Sequence, residues 1–184
     1  MSEYDGMDEL VKAALKKWPN VPHCYGWLAL DARGDWYMRD DRTQAAGPFP
    51  KVKGSRILHD KLREFIHRNY ARDGAGCWFF QNGPQRVYVE LEAAPWIWRL
   101  QPAADADAAE IVSHTGVVAQ FASAWLDQHG HLFLATDLGL GLVHSLDMEL
   151  ASACVESGAR PPQDARFERL PERFGYRLAP SAGT

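Results

Sequence analysis

The sequence lacks the cysteine patterns of metal-binding and redox proteins. Its 184 residues contain only three cysteines, Cys24, Cys77 and Cys154. They are scattered and form no Cys-x-x-Cys pair, which argues against a zinc knuckle or a redox motif. Isolated cysteines are typical of a reducing compartment, where the thiol acts as a small buried hydrophobe. We therefore predict a cytoplasmic protein, and we expect no cofactor because no cofactor-binding motif is present.

Long apolar runs and an excess of positive charge are also missing. No run approaches the length of a membrane-spanning helix, and the acidic start at residues 1–6 has no apolar signal core. The net charge is −4, and no aromatic platform is interleaved with the basic residues, as binding of single-stranded nucleic acid would need. We therefore expect neither a membrane nor a nucleic acid as a partner.

Familiar catalytic motifs are absent as well. Gly139-Leu140-Gly141 lacks the third glycine and the lysine of a phosphate-binding loop, and no Gly-x-Ser-x-Gly occurs. Ser145 follows His144 on a predicted strand, so their side chains point to opposite faces and cannot form a catalytic relay. These absences favour a non-enzymatic protein, and they leave open a small enzyme that uses other groups.

An Asp-Gly turn is present, and it occurs twice. Leu30–Met38 and Leu126–Leu134 both read Leu-Asp-x-x-Gly-x, followed by an apolar, an aromatic and a second apolar residue. In such a turn the Asp carboxylate accepts backbone hydrogen bonds and the Gly takes a positive φ. Two copies that lie 96 residues apart (126 minus 30) indicate a duplicated unit.

Helix and strand signals occur in separate blocks, which favours an α+β fold. Apolar spacing predicts a helix over 7–18 and another over 55–70 with Ser55 as its cap, while 40–54 is predicted to be a loop. We predict two similar tandem repeats, each a strongly twisted antiparallel sheet packed on one helix. The predicted domains are an N-terminal helix at 1–22, a first repeat at 23–104 and a second at 105–184, with a linker at 101–109.

Basic residues are concentrated between Lys51 and Arg72. This stretch holds seven basic residues and two acidic ones, so the loop and the predicted helix form a local positive face. We predict that it binds a small anionic ligand or a protein partner. The candidate ligand-binding residues are Lys51, Lys53, Arg56 and Arg63.

Three histidines lie close together in the second half of the chain. If the turn between the strands around them centres on Asp137-Leu138, His131 lies opposite His144, near enough to share a metal ion. If Gly139 instead forms a bulge, His144 leaves the face of His131. His129 is predicted to be a turn residue in solvent. His131 and His144 are therefore candidate metal ligands, and a small enzyme or metal-binding protein is the alternative function.

The order of these segments resembles a known family. The segments Gly34-Asp35-Trp36-Tyr37, Cys77-Trp78-Phe79-Phe80 and Arg86-Val87-Tyr88-Val89-Glu90, with a capped helix at 55–70, are similar to an uncharacterised bacterial domain of unknown function. The resemblance implies two tandem repeats, each a half-barrel sheet wrapped around a helix, and a role in signalling. The loop at 40–54 and Pro161-Pro162 depart from that pattern. We expect a binding module, and a sheet edge that pairs with its copy would make a homodimer.

Overall fold

The computed structural model describes residues 2–104, 109–156 and 161–183. The chain divides into two compact units. The first comprises Met1–Asp31, Asp35–Glu92 and Gly175–Thr184, and the second comprises Ala32–Gly34 and Ala93–Phe174. Among the described residues, no helix has the length and apolar character needed to cross a membrane.

Among its described residues, the first unit has three helices and a six-stranded sheet. Its helices are α1 (Glu9–Lys17), α2 (Asp41–Ala46) and α3 (Asp60–Arg68). Its strands are β1 (Cys24–Leu30), β2 (Trp36–Met38), β3 (Ser55–Arg56), β4 (Tyr70–Arg72), β5 (Trp78–Asn82) and β6 (Gln85–Leu91). The strand order is β3-β2-β1-β6-β5-β4, and β1 and β6 pair in parallel at the centre while the other neighbours are antiparallel.

Helix α3 packs on one face of this sheet through aromatic side chains. The fully buried Trp36 donates its indole N–H to Nε2 of His67 at 2.9 Å. The ring of Phe65 meets Phe80 edge-on at 5.4 Å between centroids, and Tyr70 meets Trp36 in the same way at 5.3 Å. Aromatic pairs in this geometry add to the free energy of burying their surface. Helix α3 therefore contacts the sheet through the ring of Phe65 and through the hydrogen bond between His67 and Trp36.

Helix α1 packs against another apolar cluster of the first unit, which includes β5 and β6 residues. The cluster consists of Met7, Val11, Cys77, Phe79 and Tyr88. Alternation along 86–92 puts Arg86 and Tyr88 on one face, which by sequence alone predicts a solvated face, but both are buried. That prediction was wrong because Arg86 is covered from outside its own strand: its guanidinium pairs with Glu3 at 2.6 Å and stacks on Phe79 at 3.8 Å.

The second unit contains a seven-stranded sheet. Its strands are β7 (Trp96–Pro102), β8 (Ala109–Ser113), β9 (Val118–Ala119), β10 (Phe121–Leu126), β11 (Leu132–Thr136), β12 (Gly139–Val143) and β13 (Gln163–Asp164), and its helices are α4 (Met148–Glu156) and α5 (Leu170–Phe174). The order is β13-β10-β11-β12-β7-β8-β9. Helix α4 packs against β7 and β8. The buried Trp98 donates its indole N–H to the carbonyl of Leu134 at 3.0 Å.

The two sheets have the same strand order. In the second unit β13 is set aside and β7–β12 are numbered 1 to 6; read from β9 to β10, the sheet then has the order 3-2-1-6-5-4, which is the order of β1–β6 in the first sheet. In both sheets strands 1 and 6 pair in parallel. This arrangement confirms the predicted α+β fold of two similar tandem units. The helices differ in position, because α3 lies between the third and fourth strands of the first unit, whereas only Gln120 separates β9 from β10 in the second.

In the described part of the chain the same Asp-Gly turn occurs four times, and one copy has Ser113 in place of the Asp. Asp31, Asp73, Ser113 and Asp127 each donate their backbone N–H to the carbonyl four residues later, and each side chain accepts from the N–H of that same later residue. Each turn has a glycine at its fourth position, with φ between 81° and 86°. The turns at Asp73 and Ser113 were not predicted from the sequence, because the residues around them differ from those around Asp31 and Asp127. The turn depends only on the first and fourth positions.

Three local predictions differ from the structure. Ser55 pairs with Met38 in β3, so the second helix begins only at Asp60 and His59 caps it by accepting from the N–H of Leu62. The predicted loop at 40–54 contains α2, whose cap is Asp40. The predicted linker at 101–109 joins the paired strands β7 and β8, and its residues 105–108 lie outside the described part of the chain.

The end of the chain is the fourth difference. Alternating apolar residues within 166–178 predict an added strand, but Leu170–Phe174 forms α5. Pro171 takes the second position of that helix, where its missing N–H costs nothing because no intrahelical partner is available. The chain then returns to the first unit, where Leu178 accepts a hydrogen bond from the N–H of Leu91 at 2.8 Å.

Candidate functional site

The basic stretch from Lys51 to Arg72 lies in the first unit, where it connects β2 to β4 and includes β3 and α3. Its central residue is Lys53, whose ammonium lies 3.0 Å from Oδ2 of Asp31 and 3.5 Å from Oε2 of Glu92. Asp31 is buried, whereas Lys53 is partly open to solvent. The pKa of Lys53 is raised, because the hydrogen bond and charge of Asp31 outweigh the cost of burial. Lys53 therefore stays charged at neutral pH.

Tyr37 completes this cluster from β2. Its hydroxyl donates to Oδ2 of Asp31 at 3.2 Å, and the Lys53 ammonium lies 5.3 Å from the centre of its ring. Burial and the nearby Asp31 raise the pKa of Tyr37. Both proton-bearing partners of Asp31 thus keep their protons at neutral pH.

The other predicted ligand-binding residues are also near carboxylates. Arg56 pairs with Asp35 at 2.8 Å, and Arg63 pairs with Asp60 one helical turn away. Lys51 is exposed and forms no ion pair with any residue that the structure describes. Because carboxylates from elsewhere in the unit approach this stretch, its excess positive charge is largely neutralised. The excess of basic residues is visible in the sequence, but the pairing of Lys53 and Arg56 with distant carboxylates is not.

Strand β3 forms one edge of the sheet, and both of its residues are exposed. The N–H of Ile57 donates to the carbonyl of Trp36 at 2.8 Å. Because backbone groups alternate in direction along a strand, the N–H and carbonyl of the preceding residue, Arg56, point away from β2. Two large apolar side chains beside this edge are exposed, Met38 on β2 and Leu58 after β3. No sequence signal indicated an edge strand here, because Ser55 resembled a helix cap.

Arg39 and Glu90 hold the segment between β2 and β3 onto the sheet, and sequence reasoning missed both. Arg39 is buried and pairs with Oε2 of Glu90 at 3.0 Å. The same guanidinium donates to the carbonyls of Gly47 at 2.7 Å and Val52 at 3.2 Å. Burial raises the pKa of Glu90 in spite of the neighbouring Arg39. This buried pair fixes the position of the loop that carries Lys51 and Lys53.

The two candidate metal ligands, His131 and His144, lie in the second unit, and each forms a hydrogen bond with a different partner. The turn between β11 and β12 consists of Asp137 and Leu138. The pairing of these two strands extends from this turn to Phe133, which lies opposite Leu142. His131 and His144 are each two residues beyond that last pair, so they do not belong to the paired strands. Nδ1 of His131 lies 3.0 Å from Asp127, and Nδ1 of His144 accepts from the N–H of Leu146. Among the described residues, no three His, Cys, Asp or Glu side chains are grouped to hold a metal ion.

Comparison of the sequence with models of known protein families assigns the chain to one family. A family model for DUF2944, described as "Protein of unknown function (DUF2946)", matches residues 7–181. The chain belongs to the DUF2944 family. This match confirms the predicted kind of family, a domain of unknown function. No curated protein matches the sequence of this DUF2944 family member.

One solved structure resembles this DUF2944 family member. It is a crystal structure at 1.40 Å resolution of a DUF1285 family protein from Shewanella baltica OS155. The two chains are 13% identical, with a TM-score of 0.47, and the matched region covers 69% of this chain and 91% of the other. Neither comparison names a ligand or a site, so the functional argument depends on the geometry described above.

Proposed function

We propose that this DUF2944 family member is a non-enzymatic binding module, and that an extended segment of a partner protein adds to the sheet of the first unit along β3. The observation that carries the proposal is the exposed outer edge of β3, where the backbone N–H and carbonyl of Arg56 point away from β2. Strand addition to such an edge is a common way of binding peptides, because backbone hydrogen bonds supply affinity and neighbouring side chains supply specificity.

The side chains around β3 define the chemistry of the partner. Met38 and Leu58 are exposed apolar residues next to the edge, and they would contact apolar side chains of the added strand. Lys51, in the loop that leads to β3, is an exposed cation that forms no ion pair with any described residue, whereas Arg56 is already paired with Asp35. The matching partner is an extended segment that carries both apolar and acidic residues.

A small anion is the weaker candidate for this surface. Lys53 is already bound to Asp31 and Glu92, Arg56 to Asp35, and Arg63 to Asp60. A free anion would have to compete with these carboxylates, and it would gain little from charges that are already neutralised. A strand brings its own backbone hydrogen bonds, which do not depend on displacing those pairs.

The test uses a displayed library of random peptides, each long enough for one strand of about six residues. We expect enriched peptides to carry acidic and β-branched or other apolar residues. Arg56→Pro removes the outward backbone N–H but leaves the hydrogen bonds between β3 and β2 in place. It should therefore weaken peptide binding about tenfold more than Arg56→Ala does, because a tenfold change in affinity corresponds to the loss of one backbone hydrogen bond.

The matched control is Val118→Pro, which makes the same change on the outer strand β9 of the other sheet. We expect it to leave peptide binding unchanged. The proposal fails if no peptide is enriched, or if Val118→Pro weakens binding as much as Arg56→Pro does.

The proposal includes a cytoplasmic location, which the scattered cysteines predict, and a place in signalling, which the sequence resemblance implies. The free thiols of Cys24, Cys77 and Cys154 support a reducing compartment. Fractionation of cells that express the full chain tests the location. Recovery with membranes or outside the cell would contradict it.

A further inference from the structure

Helix α1 carries two neighbouring rows of apolar side chains, and the first unit covers only one of them. Met7, Val11 and Leu15 recur every four residues and pack into the cluster around Phe79. Residues spaced by four form a continuous ridge along a helix. The second such ridge, which we call the outer row, consists of Leu10, Ala14 and Trp18.

The outer row is open to solvent at both of its ends. Leu10 is 85% exposed, and Trp18, the C-cap residue that directly follows the last turn of α1, is 50% exposed. Ala14 lies between them and is half-buried. The ammonium of Lys17 lies 4.4 Å from the centre of a Trp18 ring. The row is therefore an apolar ridge with a small residue at its centre.

The charges along α1 change sign from one end to the other. Asp5, just before the helix, and Glu9, in its first turn, are exposed, although Glu9 also pairs with Lys12 at 3.0 Å, and Lys16 and Lys17 are exposed in the last turn. A second α1 that runs antiparallel brings the acidic end of each helix to the basic end of the other. A parallel arrangement would bring like charges together. The surface is thus complementary to itself in the antiparallel orientation.

We infer that the outer row of α1 is the contact surface for a second copy of this chain, in a two-fold dimer with the two α1 helices antiparallel. Ala14 lies at the crossing point, where its small side chain allows close approach of the two backbones. Trp18 of each copy packs toward Leu10 of the other, so the contact is the same on both sides, as a two-fold axis requires. The surface shares no residue with the β3 edge, so this inference stands apart from the proposed function.

The first test is sedimentation equilibrium of the full chain across a concentration series from micromolar to millimolar. We expect the mass to rise from the 20.7 kDa of one chain towards twice that value. Leu10→Glu should keep the protein monomeric, because it places a charge in the row. Leu146→Glu is the matched control, since Leu146 is a similarly exposed leucine, 68% exposed, outside α1, and it should dimerise like the wild type.

A second test uses the charges. The double variant Asp5→Lys/Glu9→Lys makes both ends of α1 basic, and Lys16→Glu/Lys17→Glu makes both ends acidic. We expect each variant alone to dimerise at least tenfold more weakly than the wild type, and an equimolar mixture of the two to recover dimerisation. Unfolding cannot imitate this result, because an unfolded variant would not recover on mixing.

Three results would overturn the inference. One is a wild-type chain that stays at the mass of one copy throughout the series. Another is equal weakening of the dimer by Leu10→Glu and Leu146→Glu. The third is a mixture of the two charge variants that sediments like its separate components.

Discussion

Asp73 and Asp127 form the same turn at the same place in their sheets, between the fourth and fifth strands of each unit. Oδ1 of Asp73 accepts from the N–H groups of Ala75 and Cys77, and Oδ1 of Asp127 accepts from those of His129 and His131. The two residues are therefore the structural equivalents. The sequence comparison had paired Asp127 with Asp31, which lies between the first and second strands.

Asp127→Ala should destabilise the protein by about 1–3 kcal/mol, because it removes the acceptor for two turn N–H groups. Asp127→Asn keeps an acceptor oxygen and should cost less. Burial opposes ionisation of Asp127, but the N–H groups of His131 and His129 outweigh it and lower its pKa. The measurement is urea unfolding at neutral pH. Equal costs for the two variants would contradict a role for the acceptor.

Gly141→Ala should destabilise the protein by about 1–3 kcal/mol through overpacking. A Cβ at Gly141 would overlap the Trp98 indole, which passes over this residue to reach the Leu134 carbonyl. Gly74→Ala is the control, because nothing lies within 4 Å of a Cβ at Gly74. Thermal unfolding of both variants tests the prediction, and a Gly141→Ala midpoint at or above that of Gly74→Ala would refute it.

Stability should fall with acid because of His67. Burial and the nearby Arg63 lower the pKa of His67 from 6.5 to about 4. The neutral ring accepts the Trp36 N–H, so the folded chain binds fewer protons than the unfolded chain between these values. The contribution is complete above pH 6.5 and is lost as the pH falls through about 4. After allowance for partial exposure we expect about 1–2 kcal/mol.

His67→Gln provides the comparison, because the Gln side-chain oxygen can accept the same indole N–H and does not titrate. Chemical unfolding from pH 7 to pH 4 should show a smaller loss of stability in this variant than in the wild type. Parallel pH profiles for the two proteins would exclude His67 as the cause.

Arg39→Met should cost about 3–5 kcal/mol, because it leaves the half-buried Glu90 without its cation and removes the donor to Gly47 and Val52. Amide hydrogens of residues 40–54 should exchange faster. Arg56→Met breaks the exposed pair with Asp35 and should cost only about 0–1 kcal/mol. Unchanged exchange in the Arg39→Met loop would show that the pair does not fasten it.

Much of the fold could be predicted because its signals are local. The hairpin of β1 and β2, the N-terminal helix and the Asp31 and Asp127 turns depend on residues a few positions apart. The start of α3 could not be predicted in this way. Ser55 is a suitable helix cap, but pairing with Met38 supplies more backbone hydrogen bonds than a cap does, so the strand forms there.

The residues around Lys53 were predicted less completely than the fold was. Lys53 was identified by charge alone, and so was Arg56, which lies in the edge strand β3. Arg39, Glu90 and Tyr37 were missed because nothing in their immediate sequence distinguishes them from surface residues. Their roles come from contacts that the loop at 40–54 makes when it folds over the sheet.

The sequence by itself determined the turns, most strand and helix segments and the α+β class, because these follow from hydrogen bonds and apolar spacing within a few residues. Only the tertiary structure decided which charges meet. Lys53 reaches Asp31 across 22 residues and Glu92 across 39, and the parallel pairing of β1 with β6 brings those carboxylates to one place. An ion pair depends on the path of the whole chain between its members, which no local pattern records.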